Sequence, residues 1–333
     1  MPTRAALLLV LLAAAILSGC AGLRADPLPS WADGPAKSAL TDFVERTTSF
    51  HSPDHIPPAQ RIAVVDNDGT LWAEQPLYTQ LLFIVDRVKQ LAPDHPEWST
   101  TEPFRSVLAG DLAGVLSAGK DARAAMLLAT HADITADEFD RIARRWLADA
   151  RHPTTNRPFT EMVYQPMLEA LDYLADHGYT TFIVSGGGVE FMRAFAEDTY
   201  GIPPERIIGS RLAAELREST NGPVIWKLPS VEFVDDAGGK PVGIHHHIGR
   251  RPVIAIGNSD GDLDMLRWTD AGDLPSLCIL IRHTDAQREW AYDRDSRIGH
   301  LDKALDHAAA HNWLVIDMAR DWDRIYPWSP SSR

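Results

Sequence analysis

The stretch VVDNDGTLW, residues 64–72, decides the reading of this chain. A β-branched run, Ile62-Ala63-Val64-Val65, ends in Asp66, and Asn67, a second aspartate at 68, Gly69 and Thr70 follow. So short an apolar run reads as a strand buried on both faces. Two carboxylates one residue apart at its end repel each other, so the pair needs a cation or a proton. A helix cap with a solvated turn accounts for Asp68-Gly69-Thr70 by itself. It does not account for the acids at a second strand end.

Further short apolar runs stand at 181–184, 253–256 and 277–281, with helical patterns between them. MLEALDYLADHG (167–178) and VEFMRAFAEDTYG (189–201) each carry apolar residues at helical spacing and stop at a glycine. Strand–helix alternation implies a parallel sheet with helices on both sides, and sites at the C-terminal strand ends. Asp66, Ser185 and Asn258 all fall just past such ends. Several helical patterns fill residues 74–162, too many for one crossover, and ADEFDRIARRWLADA begins after Thr135 with acids in its first turn. This predicts an inserted all-helical unit placed to cover the site. After RIIGSRL, a partly alternating stretch centred on Asn221-Gly222 predicts a β-hairpin. The fold class expected is therefore α/β: a Rossmann-like three-layer sandwich with a parallel sheet, an inserted all-helical cap and a β-hairpin insertion. The expected organisation is a signal peptide (1–19), an N-terminal linker (20–60), an α/β core (61–73 and 163–320) and a helical cap (74–162). Part of residues 40–50 is expected to be helical and to pack on the core.

Three more pieces join the aspartate pair. GNSDGDLDML (257–266) brings Asn258, Asp260, Asp262 and Asp264 to a second strand end. Clustered hard oxygen donors without nearby His or Cys favour Mg²⁺. SGGG (185–188) places glycines before a helix start, an arrangement suited to cradling an anion. The chain has only six lysines, and only Lys227 and Lys240 lie between the second strand and the acid-rich loop. Lys227, in the hairpin, is expected to be solvated. Lys240, before the short helical stretch VGIHHHIG, is the better charge to face an anionic group.

In this order, DNDGT, Ser185, Lys240 and GNSDGD resemble the four motifs of the haloacid dehalogenase superfamily of phosphohydrolases, over residues 60–310. SGGG, the hairpin and the helical insertion are similar to its phosphoserine phosphatase-like branch. The resemblance implies Asp66 as nucleophile, forming an aspartyl-phosphate, and Asp68 as general acid and base. Mg²⁺ would be held by Asp66, the backbone carbonyl of Asp68, Asn258 and Asp262. Thr70, Ser185, Gly186 and Lys240 would bind the phosphoryl group. The second acid, Asp68, favours phosphoryl transfer over metal-free dehalogenation. One departure is Asn258, where the superfamily pattern has aspartate: one negative charge fewer at the metal, with Asp262 expected to carry more of that duty. The function implied is a Mg²⁺-dependent phosphomonoester hydrolase for a small phosphorylated metabolite. The alternatives are a catalytically weak lipoprotein that binds phosphate esters, or a phosphotransferase of the same fold.

Other features sort themselves around that core. By the same resemblance, Glu74 and Arg157, at the entry and exit of the cap, are candidate substrate contacts, Glu74 for an amine. Trp72, Tyr78 and Tyr164 read as packing before they read as a cage for a quaternary ammonium group. His245-His246-His247 lack the partners of a metal site. The formal net charge of −14 excludes a nucleic-acid partner and requires a local positive site for any anionic ligand. At the N-terminus, Met1–Arg4 precedes the aliphatic run 5–17, which reads as an export signal. LSGC (17–20) resembles a bacterial lipobox, implying lipid on Cys20, a membrane anchor, and a periplasmic or cell-envelope location on the outer membrane of a cell that has one. The other cysteine, Cys278, sits in LCILI and reads as a buried hydrophobe.

Overall fold

The computed structural model describes residues 26–117 and 119–331. The export signal and Cys20 lie outside the described residues. In chain order the elements are α1 (Pro35–Thr48), β1 (Ile62–Val65), α2 (Thr79–Leu91), α3 (Phe104–Leu108), α4 (Leu112–Ser117), α5 (Lys120–His131), α6 (Ala136–Asp149) and α7 (Gln165–Asp176). Then come β2 (Thr180–Gly188), α8 (Val189–Arg193), α9 (Ala196–Tyr200), β3 (Ile207–Ser219), β4 (Gly222–Phe233) and α10 (Gly239–Ile248). The chain closes with β5 (Ile254–Gly257), α11 (Leu263–Asp270), β6 (Leu277–Thr284), β7 (Ala291–Tyr292), α12 (Lys303–His311), β8 (Leu314–Asp317) and α13 (Met318–Asp321).

The sheet order is β4-β3-β2-β1-β5-β6, with β7 and β8 both pairing with β6. β1, β2, β3, β5, β6 and β8 run parallel to their neighbours, while β4 and β7 are antiparallel. Period-2 alternation splits the strand side chains between two cores. Ala63, Val65, Ile254 and Ile256 face one that includes α1 and α7, whereas Val64, Ala255 and Leu280 face the other, under α10, α11 and α12. The expected three-layer architecture is what the chain forms. The helical insertion runs from α2 to α6 between β1 and β2, and Thr135 caps α6 by accepting from the Glu138 amide at 3.1 Å.

Three expectations need correction, and one holds. Residues 189–200 form two short helices broken at Ala194–Phe195, not one. The hairpin leaves the sheet as expected: β3 pairs with β2 at its start and with β4 along the rest. Lys227 on β4 is buried, not solvated, because the hairpin lies against the cap. There the Asp133 amide donates to the Lys227 carbonyl at 2.9 Å and the Lys227 amide to the Ile134 carbonyl at 3.0 Å. The segment expected as a linker joins the fold from Leu28 onward, since Leu28 and Trp31 are buried, while Leu40, Phe43 and Val44 of α1 pack on the core as expected of residues 40–50.

Candidate active site

Because β2, β1 and β5 are adjacent and parallel, their C-terminal ends line up. That edge brings Ser185, Asp66 and Asn258 side by side. Lys240, in the first turn of α10, reaches the same point. Its Nζ donates to Asp66 Oδ1 at 2.6 Å, to Asp262 Oδ1 at 2.6 Å and to the Val184 carbonyl at 2.9 Å. Lys240 and both acids are buried. Burial works against the Lys240 charge, but Asp262 and Asp66 outweigh it and hold the ammonium form. Burial, then Asp262, pushes the Asp66 carboxyl well above the usual range, with Lys240 acting the other way.

Asp68 is turned toward the glycine turn: its Oδ2 lies 3.9 Å from where a Cβ on Gly187 would sit. Burial raises its carboxyl to about 6, although Trp72 Nε1 donates to its Oδ1 at 2.7 Å and favours the ionised form. A carboxyl that protonates near neutrality, two residues from a lysine-clamped carboxylate, has the properties of a proton donor. In the glycine turn, the Gly187 amide donates to Ser185 Oγ at 3.1 Å. The Gly188 amide donates to Gln80 Oε1 on α2 at 2.7 Å, tying the cap to the turn.

The acid-rich loop divides its work. Of its three aspartates only Asp262 enters the site. Its Oδ2 accepts from the Asn258 and Ser259 amides at 3.0 and 3.1 Å and from Ser259 Oγ at 3.2 Å. Asp260, expected in the cluster, instead caps α12, accepting from the amides of Asp302, Lys303 and Ala304. Asp264 pairs with Arg267 on the surface. Thr70 Oγ1 donates to Asn258 Oδ1 at 3.1 Å, and Asn258 Nδ2 donates to Glu74 Oε1 at 2.7 Å. Glu74 is buried, and burial raises its carboxyl to about 8.

Among the described residues no three His, Cys, Asp or Glu side chains form a ready metal cluster. Of the residues expected to hold a cation, Asp66 and Asn258 bring side-chain oxygens to this edge, the hard donors that suit a divalent cation. Both oxygens of Asp262 are already engaged, by Lys240 and by the loop's own donors.

The sequence reading missed a wall behind the aspartate loop. His283, near the end of β6, lies 2.8 Å by Nε2 from the Gly69 carbonyl and 3.2 Å by Nδ1 from Glu289 Oε2. Both neighbours are acceptors and favour the doubly protonated ring; burial opposes that charge, but Glu289 outweighs it and raises the His283 pKa. Tyr164 Oη donates to Glu289 at 2.8 Å, and Tyr292 Oη to Glu74 Oε1 at 2.8 Å. The strand-end rule applied to the run at 277–281, carried two residues further, would have found His283.

Other candidates lie elsewhere. Arg157 donates to Glu161 at 2.9 Å and lies over Trp328, joining none of these contacts. Trp72 stacks on Phe195 at 4.4 Å and Tyr164 on Tyr326 at 5.8 Å, and Tyr78 Oη accepts from the Gly299 amide, so the three do not form a cage. His245, His246 and His247 are exposed.

A family model for haloacid dehalogenase-like hydrolases matches residues 63–267, from β1 through the acid-rich loop. The chain belongs to that family. Among solved structures, this hydrolase is similar to a protein of unknown function from Bordetella pertussis (16% identity, TM-score 0.49, covering 78% of this chain and 99% of that one). It is also similar to a conserved functionally unknown protein from Anaerococcus prevotii (15%, TM-score 0.46, 75% and 86%). A third is a phosphoserine phosphohydrolase-like protein from Francisella tularensis (14%, TM-score 0.36, 75% and 98%). No curated protein matches the sequence.

Proposed function

We propose that this hydrolase is a Mg²⁺-dependent phosphomonoesterase acting on a small phosphate ester through an aspartyl-phosphate. The observation that carries this is the lysine-clamped Asp66 with Asp68 two residues on, facing the Ser185–Gly188 turn. An Asp66 carboxylate oxygen attacks phosphorus. The bond to the leaving oxygen breaks as Asp68 gives that oxygen its proton, releasing the alcohol. Asp68, now ionised, takes a proton from water as the water oxygen attacks the aspartyl-phosphate, freeing inorganic phosphate and Asp66. Ser185 and the Gly186 amide would serve the phosphoryl oxygens, with Lys240 supplying positive charge from its clamp on Asp66 and Asp262, and Thr70 holding Asn258 beside them. Asp66, the Asp68 carbonyl and Asn258 would hold Mg²⁺, which supplies charge neutralisation when bound.

The test is hydrolysis of an aryl phosphate by the signal-free protein with Mg²⁺ or with chelator. Turnover is expected with Mg²⁺ only, to vanish in Asp66→Asn, and to fall about 10²–10⁴-fold in Asp68→Asn. Tight ester binding without wild-type turnover would overturn the reading, and phosphate appearing on an added alcohol would reassign it to transfer. The lipobox-like LSGC further supports anchoring through Cys20. Cys20→Ser should move the full-length protein from the membrane to the soluble fraction.

A further inference from the structure

Asn258 and Glu74 come from distant parts of the chain, yet they meet inside the site. The Asn258 side chain is an amide with one accepting and one donating end, and both ends are occupied. Oδ1 accepts from Thr70 Oγ1 at 3.1 Å, and Nδ2 donates to Glu74 Oε1 at 2.7 Å. Thr70 does not fix this orientation by itself, because a hydroxyl both donates and accepts and would satisfy either end of the amide. Glu74 is the discriminating partner: an acceptor there admits only the Nδ2 end.

The place for Glu74 is built. Gly69 and Gly299 both have left-handed backbones, with φ of 74° and 63°. A Cβ on either would collide with Glu74 Oε1. Tyr292 Oη donates to the same oxygen at 2.8 Å. A side chain reaching out to a substrate does not need two glycines and a tyrosine packed round its carboxylate.

We infer that Glu74 is a positioning residue, holding the Asn258 amide so that its carbonyl oxygen, not its nitrogen, faces Thr70 and the cation site beside Asp66. This rests on the metal-dependent reading above. It also explains why asparagine suits position 258: an aspartate there would replace the donating Nδ2 with a second carboxyl oxygen against Glu74 Oε1, which already accepts from Tyr292 Oη.

The variants Glu74→Gln, Glu74→Leu, Asn258→Asp and the double Glu74→Gln/Asn258→Asp test this by Mn²⁺ and Mg²⁺ calorimetry and thermal denaturation, with aryl-phosphate turnover alongside. Glu74→Gln keeps an acceptor and should bind the ion within a few-fold of wild type. Glu74→Leu should lose about 10–100-fold in ion affinity, the usual loss when the group orienting a ligand is removed. Asn258→Asp should melt several degrees lower and bind the ion no more tightly despite its added charge. The double variant should recover both, because the glutamine amide donates to the new carboxylate. The inference is overturned if Asn258→Asp by itself is as stable as wild type and binds the ion more tightly, or if Glu74→Leu keeps full ion affinity. A wild-type protein that binds neither ion overturns it too. Failure of the phosphatase reading looks different: the ion binds and the variants behave as stated, but no ester is turned over.

Discussion

At the scale of single residues, the site is a set of buried charges that depend on one another. Lys240 lies between Asp66 and Asp262, all three out of water. Removing one partner of a buried ion pair strands the others, typically at about 3–5 kcal/mol. Lys240→Met should therefore lower the unfolding free energy by about that much in metal-free buffer, as denaturant titration would read. Asp68 makes the opposite prediction. Its carboxyl is raised from the ordinary aspartate value of 3.8 to about 6, so the folded state favours the neutral form. That stabilisation is fully present below about pH 4 and is lost as pH rises through 6. At pH 7.5 the ionised side chain is a burden of about 1–3 kcal/mol, allowing for partial exposure. With chelator present, Asp68→Asn should melt above wild type at pH 7.5, and the gap should close by pH 4. Asp66, Asp68, Ser185 and Lys240 were legible because each stands at a strand end or is one of few lysines. The resemblance singled out Asp262 of the 257–266 loop, but that Asp260 leaves the cluster was not legible. It depends on the single turn at 260–262, which sends Asp262 to Lys240 and Asp260 to the start of α12.

At the scale of elements, the structure adds two supports that sequence periodicity does not show. The first is the wall from β6 to Gly299. His283 meets the Gly69 carbonyl, Tyr292 meets Glu74, and Gly299 leaves room for the Glu74 carboxylate. These contacts join residues more than 200 positions apart in the chain, and a two-residue strand such as β7 carries too little pattern to announce itself. Two glycines with similar backbones make the consequence measurable. Gly249 has φ 70° and nothing within 4 Å of where a Cβ would stand, so Gly249→Ala should lose only the left-handed backbone penalty, about 1–2 kcal/mol. Gly299→Ala adds a collision with Glu74 and Tyr292 to a similar φ. It should be the more destabilised of the two in urea, and it should weaken ion binding where Gly249→Ala does not. The second support is the hairpin. Asn221-Gly222 announced a turn, and Ser219 does pair with Gly222 across it. No local signal told that β4 would bury Lys227 over the Phe139 ring and against Glu190, since that depends on where the cap sits. Burial lowers the Lys227 pKa to about 8, so this clamp of cap to core carries a charge held at a desolvation penalty.

At the scale of the whole molecule, the layered architecture was legible because every central strand has an apolar run and every long helix a spaced stripe. The role of residues 26–39 was not, because Pro, Ala, Ser and Asp dominate their composition and read as a connector; only residues 40–50 read as a helix packed on the core. The few large apolar side chains of 26–50 are what matter. Trp31 packs edge-on to Trp322 at 6.2 Å and donates from Nε1 to the Pro166 carbonyl at 2.8 Å. The Ser30 amide donates to Glu169 at 2.8 Å, so this segment fastens the start of α7 to the C-terminal stretch. Leu40, Phe43 and Val44 of α1 complete the core on that face of the sheet. Burying a large apolar side chain contributes about 1.5–3 kcal/mol, and net domain stability is about 5–15 kcal/mol. Losing Leu28, Trp31, Leu40, Phe43 and Val44 together therefore removes an amount comparable to the entire margin. A protein beginning at Asp26 should unfold in one cooperative transition. A protein beginning at His51 should lose that transition, expose Trp322 and Tyr164 surface to a hydrophobic dye, and lose turnover with it. If the shorter protein instead melts cooperatively and stays active, residues 26–50 are a connector after all and the core is complete without them.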